Sequence, residues 1–177
     1  MKRKDIKETI KEHFFVHPTT KLRVREIERV LKLPLPSVIR YCRELAKEGI
    51  LDIAQMGNVR FYTAKRGSQE YLLEKQLYNI KQLHRSGLIE YVRIELSNPA
   101  IILFGSYAKG EDTEESDIDI YLETPSKKKV DLEKFKRILK REIQIFQHKS
   151  LKDISNPHLA NNIINGIIVN NYIEVFK

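Results

Sequence analysis

A run of consecutive apolar residues, Ile101-Ile102-Leu103-Phe104, stops at Gly105-Ser106, and ten residues later the chain reads Asp117-Ile118-Asp119-Ile120-Tyr121-Leu122. The first segment reads as a buried strand running into a Gly-Ser turn. A polar loop follows, and the second segment reads as a strand carrying two acids two residues apart. Successive side chains of a strand face opposite ways, so Asp117 and Asp119 are expected on one face. Two carboxylates side by side repel unless a cation sits between them. Hard cations such as Mg2+ take oxygen ligands of this kind and share them with substrate phosphates. A Gly-Ser turn offers backbone N–H groups and a hydroxyl, which suit a phosphate. The combination describes a site for a metal and a nucleotide.

The pattern Gly105-Ser106, ten residues, Asp117-x-Asp119 resembles the signature of the DNA polymerase β-like nucleotidyltransferases in their minimal form. Lys109-Gly110 after Ala108, and Ser116 before Asp117, match finer details of it, and the resemblance covers roughly residues 88 to 177. It implies that Gly105 lets the backbone approach a triphosphate and that Ser106 and Lys109 contact phosphate. Asp117 and Asp119 would be catalytic and would hold Mg2+ (or Mn2+), with ATP or another NTP as substrate. The product would be a nucleoside monophosphate, AMP from ATP in the leading case, joined to an acceptor. The resemblance also implies a third carboxylate on the strand after the next helix. That helix is expected over Asp131–Lys140 and that strand over Glu142–Gln147. Gln144 stands where the acid is expected. Glu142 shares its face one strand step away, about 6.5 Å along the strand, and is the substitute candidate as a metal ligand. Two readings stay open: an enzyme in which Glu142 or a substrate group stands in, or a domain that binds Mg-nucleotide without efficient transfer.

Charge divides the 177-residue chain. Residues 1 to 66 hold 16 Lys+Arg and 8 Asp+Glu, a net of +8, whereas residues 67 to 177 hold 16 of each. The whole basic excess therefore lies in the first third, and a polyanion is the expected partner there. Cys42 is the single cysteine, so no internal disulfide can form. No apolar run of membrane-spanning length occurs, and a cytoplasmic protein without a membrane partner is the expectation.

In that first third, Ile6, Ile10 and Phe14 mark a helix over residues 4 to 16, ended by Pro18. A second helix is expected over Val24–Leu31. A third begins near Pro36-Ser37, runs through Val38, Ile39, Tyr41, Cys42 and Leu45, and stops at Gly49. Ile50–Ala54 and Val59–Thr63 flank Gln55-Met56-Gly57-Asn58, a hairpin signal. Three helices and a hairpin resemble the winged helix-turn-helix of prokaryotic transcription regulators. That resemblance implies binding of double-stranded DNA, with the third helix in the major groove. Ser37, Arg40, Arg43 and Lys47 would face the DNA, and Arg60 near the wing tip would touch phosphate or the minor groove.

Ser68 is the expected N-cap of a helix reaching about Arg85. The expected organisation is thus a winged helix-turn-helix over 1–66, a helical connector over 67–87 and a nucleotidyltransferase domain over 88–177. The fold class is α+β, an N-terminal winged helix-turn-helix followed by a small α/β nucleotidyltransferase domain with a mixed sheet. Helical connectors of this type pair as dimer contacts, so a homodimer is an expectation. Minimal nucleotidyltransferases often act as antitoxins, which implies a toxin-like protein partner. The alternatives are a transcription regulator that senses nucleotide, and an enzyme acting on a small-molecule hydroxyl, for which the basic first third is superfluous.

Overall fold

The computed structural model describes residues 5–174 and divides into two compact units at Tyr78/Asn79. In the first unit, α1 (Ile6–Val16), β1 (Lys21–Leu22), α2 (Val24–Leu31), α3 (Leu35–Lys47), β2 (Leu51–Met56) and β3 (Val59–Ala64) follow in order. Asp5 caps α1 through its carboxylate, which accepts from the Lys7 N–H at 2.9 Å; Lys4, where the helix was expected to start, lies outside the described residues. Ile10, Phe14 and Phe15 of α1, Ile27 of α2, and Val38, Cys42 and Leu45 of α3 form the core. These are the residues at helical spacing on the faces the sequence marks as apolar. The three strands make an antiparallel sheet in the order β1-β3-β2, with Met56 opposite Val59 around Gly57-Asn58. The two-residue β1 has no hydrophobic alternation to announce it. It exists because Lys21 and Leu22 meet Thr63 and Tyr62 of β3.

Helix α4 (Gln69–Arg85) contributes Tyr71 to the core of the first unit and Leu83 to that of the second. Ser68 caps it, its hydroxyl accepting from the Tyr71 N–H at 3.1 Å. The second unit continues with α5 (Leu88–Glu95), β4 (Ala100–Phe104), α6 (Gly105–Lys109), β5 (Ile118–Glu123), α7 (Glu133–Leu139), β6 (Ile143–His148), a 3-10 turn at Leu151–Asp153, α8 (Pro157–Ile164) and β7 (Ile167–Asn170). The sheet order is β6-β5-β4-β7. Strand β4 pairs antiparallel with β5 and β7, whereas β5 pairs parallel with β6, so the sheet is mixed.

Every residue of β4 is buried. Ile101 and Leu103 pack on one face with Leu88, Val92, Ile118, Ile120, Leu122 and Phe135. Ile102 and Phe104 pack on the other with Tyr121 and Ile163. A strand covered on both faces has no reason to alternate, which explains the unbroken apolar run. Among the described residues no helix is long and apolar enough to cross a membrane.

Cys42 is fully buried in the first core, and burial pushes its thiol up to about 12. A neutral, enclosed thiol reacts only when the unit opens. At pH 8 a thiol reagent should therefore label native chain slower than urea-unfolded chain by about 10³-fold or more. Full labelling within minutes in native buffer would contradict the packing.

Candidate active site

Four elements meet at one end of the mixed sheet. Strand β4 delivers the chain to Gly105, where it turns directly into the five-residue helix α6 rather than into an open turn. The change of direction needs a left-handed residue, and Gly105 supplies it with φ +74°. Gly110, with φ +72°, ends α6 in the same conformation. Ser106 sits half-buried in the first turn, and Lys109 is exposed at the last.

The loop back to β5 is closed by Ser116, whose hydroxyl accepts from the Thr113 N–H at 2.9 Å. This explains the serine before Asp117 as a loop closure. Asp117 lies one residue before β5 and Asp119 is its second residue. Asp119 is directly opposite Phe104 in the β4–β5 register and opposite Gln144 in the β5–β6 register. Opposite residues share a face, so Asp119 lies on the sheet face of Phe104 and Tyr121, and Asp117 joins it there through its hydrogen bond from Gln144.

Gly105 and Asp119 touch. A Cβ built on Gly105 would lie 2.3 Å from Asp119 Oδ2. Only a hydrogen fits there, so glycine is required both by the turn and by the carboxylate against it. Burial, followed by the charge of Asp117, holds the Asp119 carboxyl above its ordinary value. Both causes penalise the charged form. A cation bound between the acids reverses the second cause, and carboxylate oxygens are the ligands that Mg2+ and Mn2+ take, so the donor set fits such an ion.

The third position is occupied by an amide. Gln144 Nε2 donates to Asp117 Oδ2. Glu142 precedes β6 instead of lying in it, is mostly exposed, and its carboxylate is 2.8 Å from Lys136 Nζ. Glu142 and Asp117 both line an open cavity of about 430 Å³ between the 114–117 loop and α7, together with Lys136, Lys140 and Arg141. Among the described residues no group of three or more His, Cys, Asp and Glu side chains gathers around a common point.

Two supporting residues carry no sequence signal. Arg141 Nη1 donates to the Glu114 carbonyl at 2.8 Å, and its Nη2 lies 3.9 Å from Asp112. Asn79 Nδ2 donates to Asp112 at 2.8 Å and to the Tyr107 carbonyl at 2.9 Å. Together they anchor the loop that leads from α6 to the acids at Asp112 and Glu114. Each lies in an ordinary polar stretch, and only the tertiary fold brings them to Asp112.

In the first unit the sequence-derived DNA residues are spread over α3 and β3. Arg40, Arg43 and Lys47 are exposed and Ser37 is half-buried, on the side of α3 away from Val38, Cys42 and Leu45. Arg40 is partly engaged: its guanidinium lies 4.3 Å from the Tyr41 ring centroid, and its Nε is 3.7 Å from Glu44. Arg43 lies near Tyr62, whose phenol burial pushes up and the guanidinium draws back down. Arg60 is exposed in the second position of β3, opposite Gln55.

The family comparison falls on the acid-bearing segment. Residues 85–160 match the family model described as a nucleotidyltransferase domain. The match spans α5 through the first half of α8 and contains Gly105, Ser106, Asp117, Asp119 and Gln144. It supports the nucleotidyltransferase superfamily, and with it nucleotidyl transfer in general, for this segment. No curated protein matches the chain.

A raised carboxyl value in the folded state has a fixed sign for stability. The fold binds the Asp119 proton more tightly than the unfolded chain does. Stability therefore falls as pH rises from the ordinary aspartate value of 3.8 through the raised one, and a constant penalty remains above it. Asp119→Asn removes the penalty. Without divalent cation at pH 7 this variant should unfold at a higher temperature than the wild type. The difference should shrink as pH drops below the ordinary aspartate range. A lower melting temperature for the variant at pH 7 would count against the electrostatic account.

Proposed function

We propose that the second unit transfers a nucleoside monophosphate, AMP from ATP in the leading case, to a hydroxyl on a separate acceptor. The observation that carries the reading is the close packing of Asp119 on Gly105, with Asp117 beside it, inside the segment that matches the nucleotidyltransferase family model. In this reading Gly105 lets the triphosphate approach the backbone, Ser106 donates its hydroxyl to a phosphate oxygen, and Lys109 adds positive charge. Asp117 and Asp119 would hold Mg2+ or Mn2+. A bound divalent ion supplies charge neutralisation at the phosphates and aligns the attacking hydroxyl with the departing pyrophosphate. The acceptor oxygen bonds to the α-phosphorus as the bond to pyrophosphate breaks, and the acceptor proton passes to solvent or to a carboxylate. Electrostatic stabilisation of this kind is worth about 10²-fold or more per essential group.

The test is transfer of label from α-labelled ATP to candidate acceptors with Mg2+. Asp117→Ala and Asp119→Ala should each lower the rate by about 100-fold or more. An unchanged rate in both variants would defeat the assignment. Gln144 at the third position favours one further reading: a regulator whose second unit binds Mg-nucleotide without efficient transfer. Nucleotide binding without labelled product for any acceptor, abolished by the same substitutions, would select it.

For the first unit we propose a winged helix-turn-helix that binds double-stranded DNA. Its support is the net +8 of residues 1 to 66 and the exposure of Arg40, Arg43, Lys47 and Arg60. A DNA-bound, nucleotide-using protein of this organisation suits an antitoxin-type regulator, with a toxin-like protein as acceptor or partner and a homodimer reading symmetric half-sites. Duplex binding by the full chain should weaken steeply with salt, and each phosphate-contacting Lys or Arg replaced by Ala should reduce the slope of log affinity against log salt by about 1. Absence of binding even at low salt would leave this unit as a protein-contact module.

A further inference from the structure

We infer that the Asp117–Asp119 site holds one divalent cation, and that Gln144 is the residue that limits it to one. The inference rests on the metal-nucleotide reading of those two acids, and concerns how many cations they take.

The first argument is charge. Asp117 and Asp119 together carry two negative charges, which a single dication balances. A nucleoside triphosphate supplies oxygens for the cation that it carries; a second dication beside the pair, away from those phosphates, needs a further protein carboxylate, because bringing two dications together is costly without one. The residue placed for that role is Gln144, directly across the parallel register from Asp119 and hydrogen-bonded to Asp117. Its amide is neutral. Its N–H fixes Asp117, which a carboxylate at the same position would instead repel. Gln144 is therefore a positioning residue: it orients one ligand and contributes no charge.

The second argument removes the nearest substitute. Glu142 has its carboxylate 2.8 Å from Lys136 Nζ, which also lies 3.2 Å from Glu133. Lys136 thus draws Glu142 towards α7. The β5–β6 register sets Glu142 level with Asp117, one step before the Ile118–Ile143 pair, so it is the Lys136 contact that holds its carboxylate away from the pair. Within the described residues, nothing else brings a third acid to the pair.

The experiment is electron paramagnetic resonance of the full chain loaded with Mn2+ and a non-hydrolysable ATP analogue. Two Mn2+ ions in one site couple magnetically, and a single ion gives an uncoupled spectrum. The wild type should give the uncoupled spectrum. Gln144→Glu, nearly identical in shape and at an exposed position, and Gln144→Asp should each give a coupled pair. Glu142→Gln should look like the wild type. A coupled pair in the wild type would overturn the inference. So would an uncoupled spectrum in both Gln144 variants, or loss of bound Mn2+ in Glu142→Gln. The double variant Asp117→Asn, Asp119→Asn separates the two levels. If it binds Mn2+ and the analogue as the wild type does, the metal-nucleotide reading itself fails. If it loses them while the wild type shows a coupled pair, only the single-cation inference fails.

Discussion

The arrangement of the second unit turns on an unfavourable interaction: a half-buried carboxylate, Asp119, pressed against the Cα of Gly105 with a second carboxylate close by. Burial and like charge both oppose its ionisation. Such a group persists only where the surrounding structure determines its position. Strand β4, buried on both faces, holds one side of the contact, and the β4–β5 register holds the other. A cation placed between the two acids would convert that repulsion into attraction. The positions of Ser106 and Lys109 then follow for geometric reasons, since the turn at Gly105 that makes room for the carboxylate also starts α6, and Gly110 ends it.

The same economy governs the loop between α6 and β5. It carries Glu111, Asp112, Glu114 and Glu115 in addition to the two acids, with no Lys or Arg between them. Left alone, such a loop would expand away from itself. Ser116 closes one turn of it, Asn79 ties Asp112 back to α6, and Arg141 spans from Asp112 to the Glu114 carbonyl. Arginine suits that place better than lysine because its planar fork reaches two acceptors at once. The neutral total charge of residues 67 to 177 thus conceals an acidic loop and a basic helix α7 that face each other across one cavity.

Much of this was legible from sequence. The unbroken Ile101–Phe104 run reads directly as a strand, and the apolar residues around Asp119 read as the strand paired with it. The hydrophobic spacing of Ile10 and Phe14, and of Val38, Cys42 and Leu45, marked the core of the first unit, because a helix must bury one face. Three things were not legible. Strand β1 is defined by its partner on β3 and has no periodicity of its own. The Gly-Ser turn proved to be the first turn of α6, since the local residues permit either form and packing of Tyr107 and Ala108 decides it. Arg141 and Asn79 act through contacts distant in sequence, which composition cannot report.

The pairing order of the mixed sheet has a consequence for how the site assembles during folding. Ile102 meets Tyr121 of β5, a short way along the chain, but meets Ile168 of β7 only after more than three times that separation. Closing the longer loop costs about 1 kcal/mol more in chain entropy. Gly105, Ser106, Asp117 and Asp119 all lie inside the shorter closure, so they can be brought together by local contacts. Strand β7, at the edge of the sheet, has the costlier closure, and without it Ile102 and Leu103 lack their partners on that edge. The hairpin that carries Asp119 is thus a low contact-order element, and its apolar support is completed only by the pairing of residues 167–170.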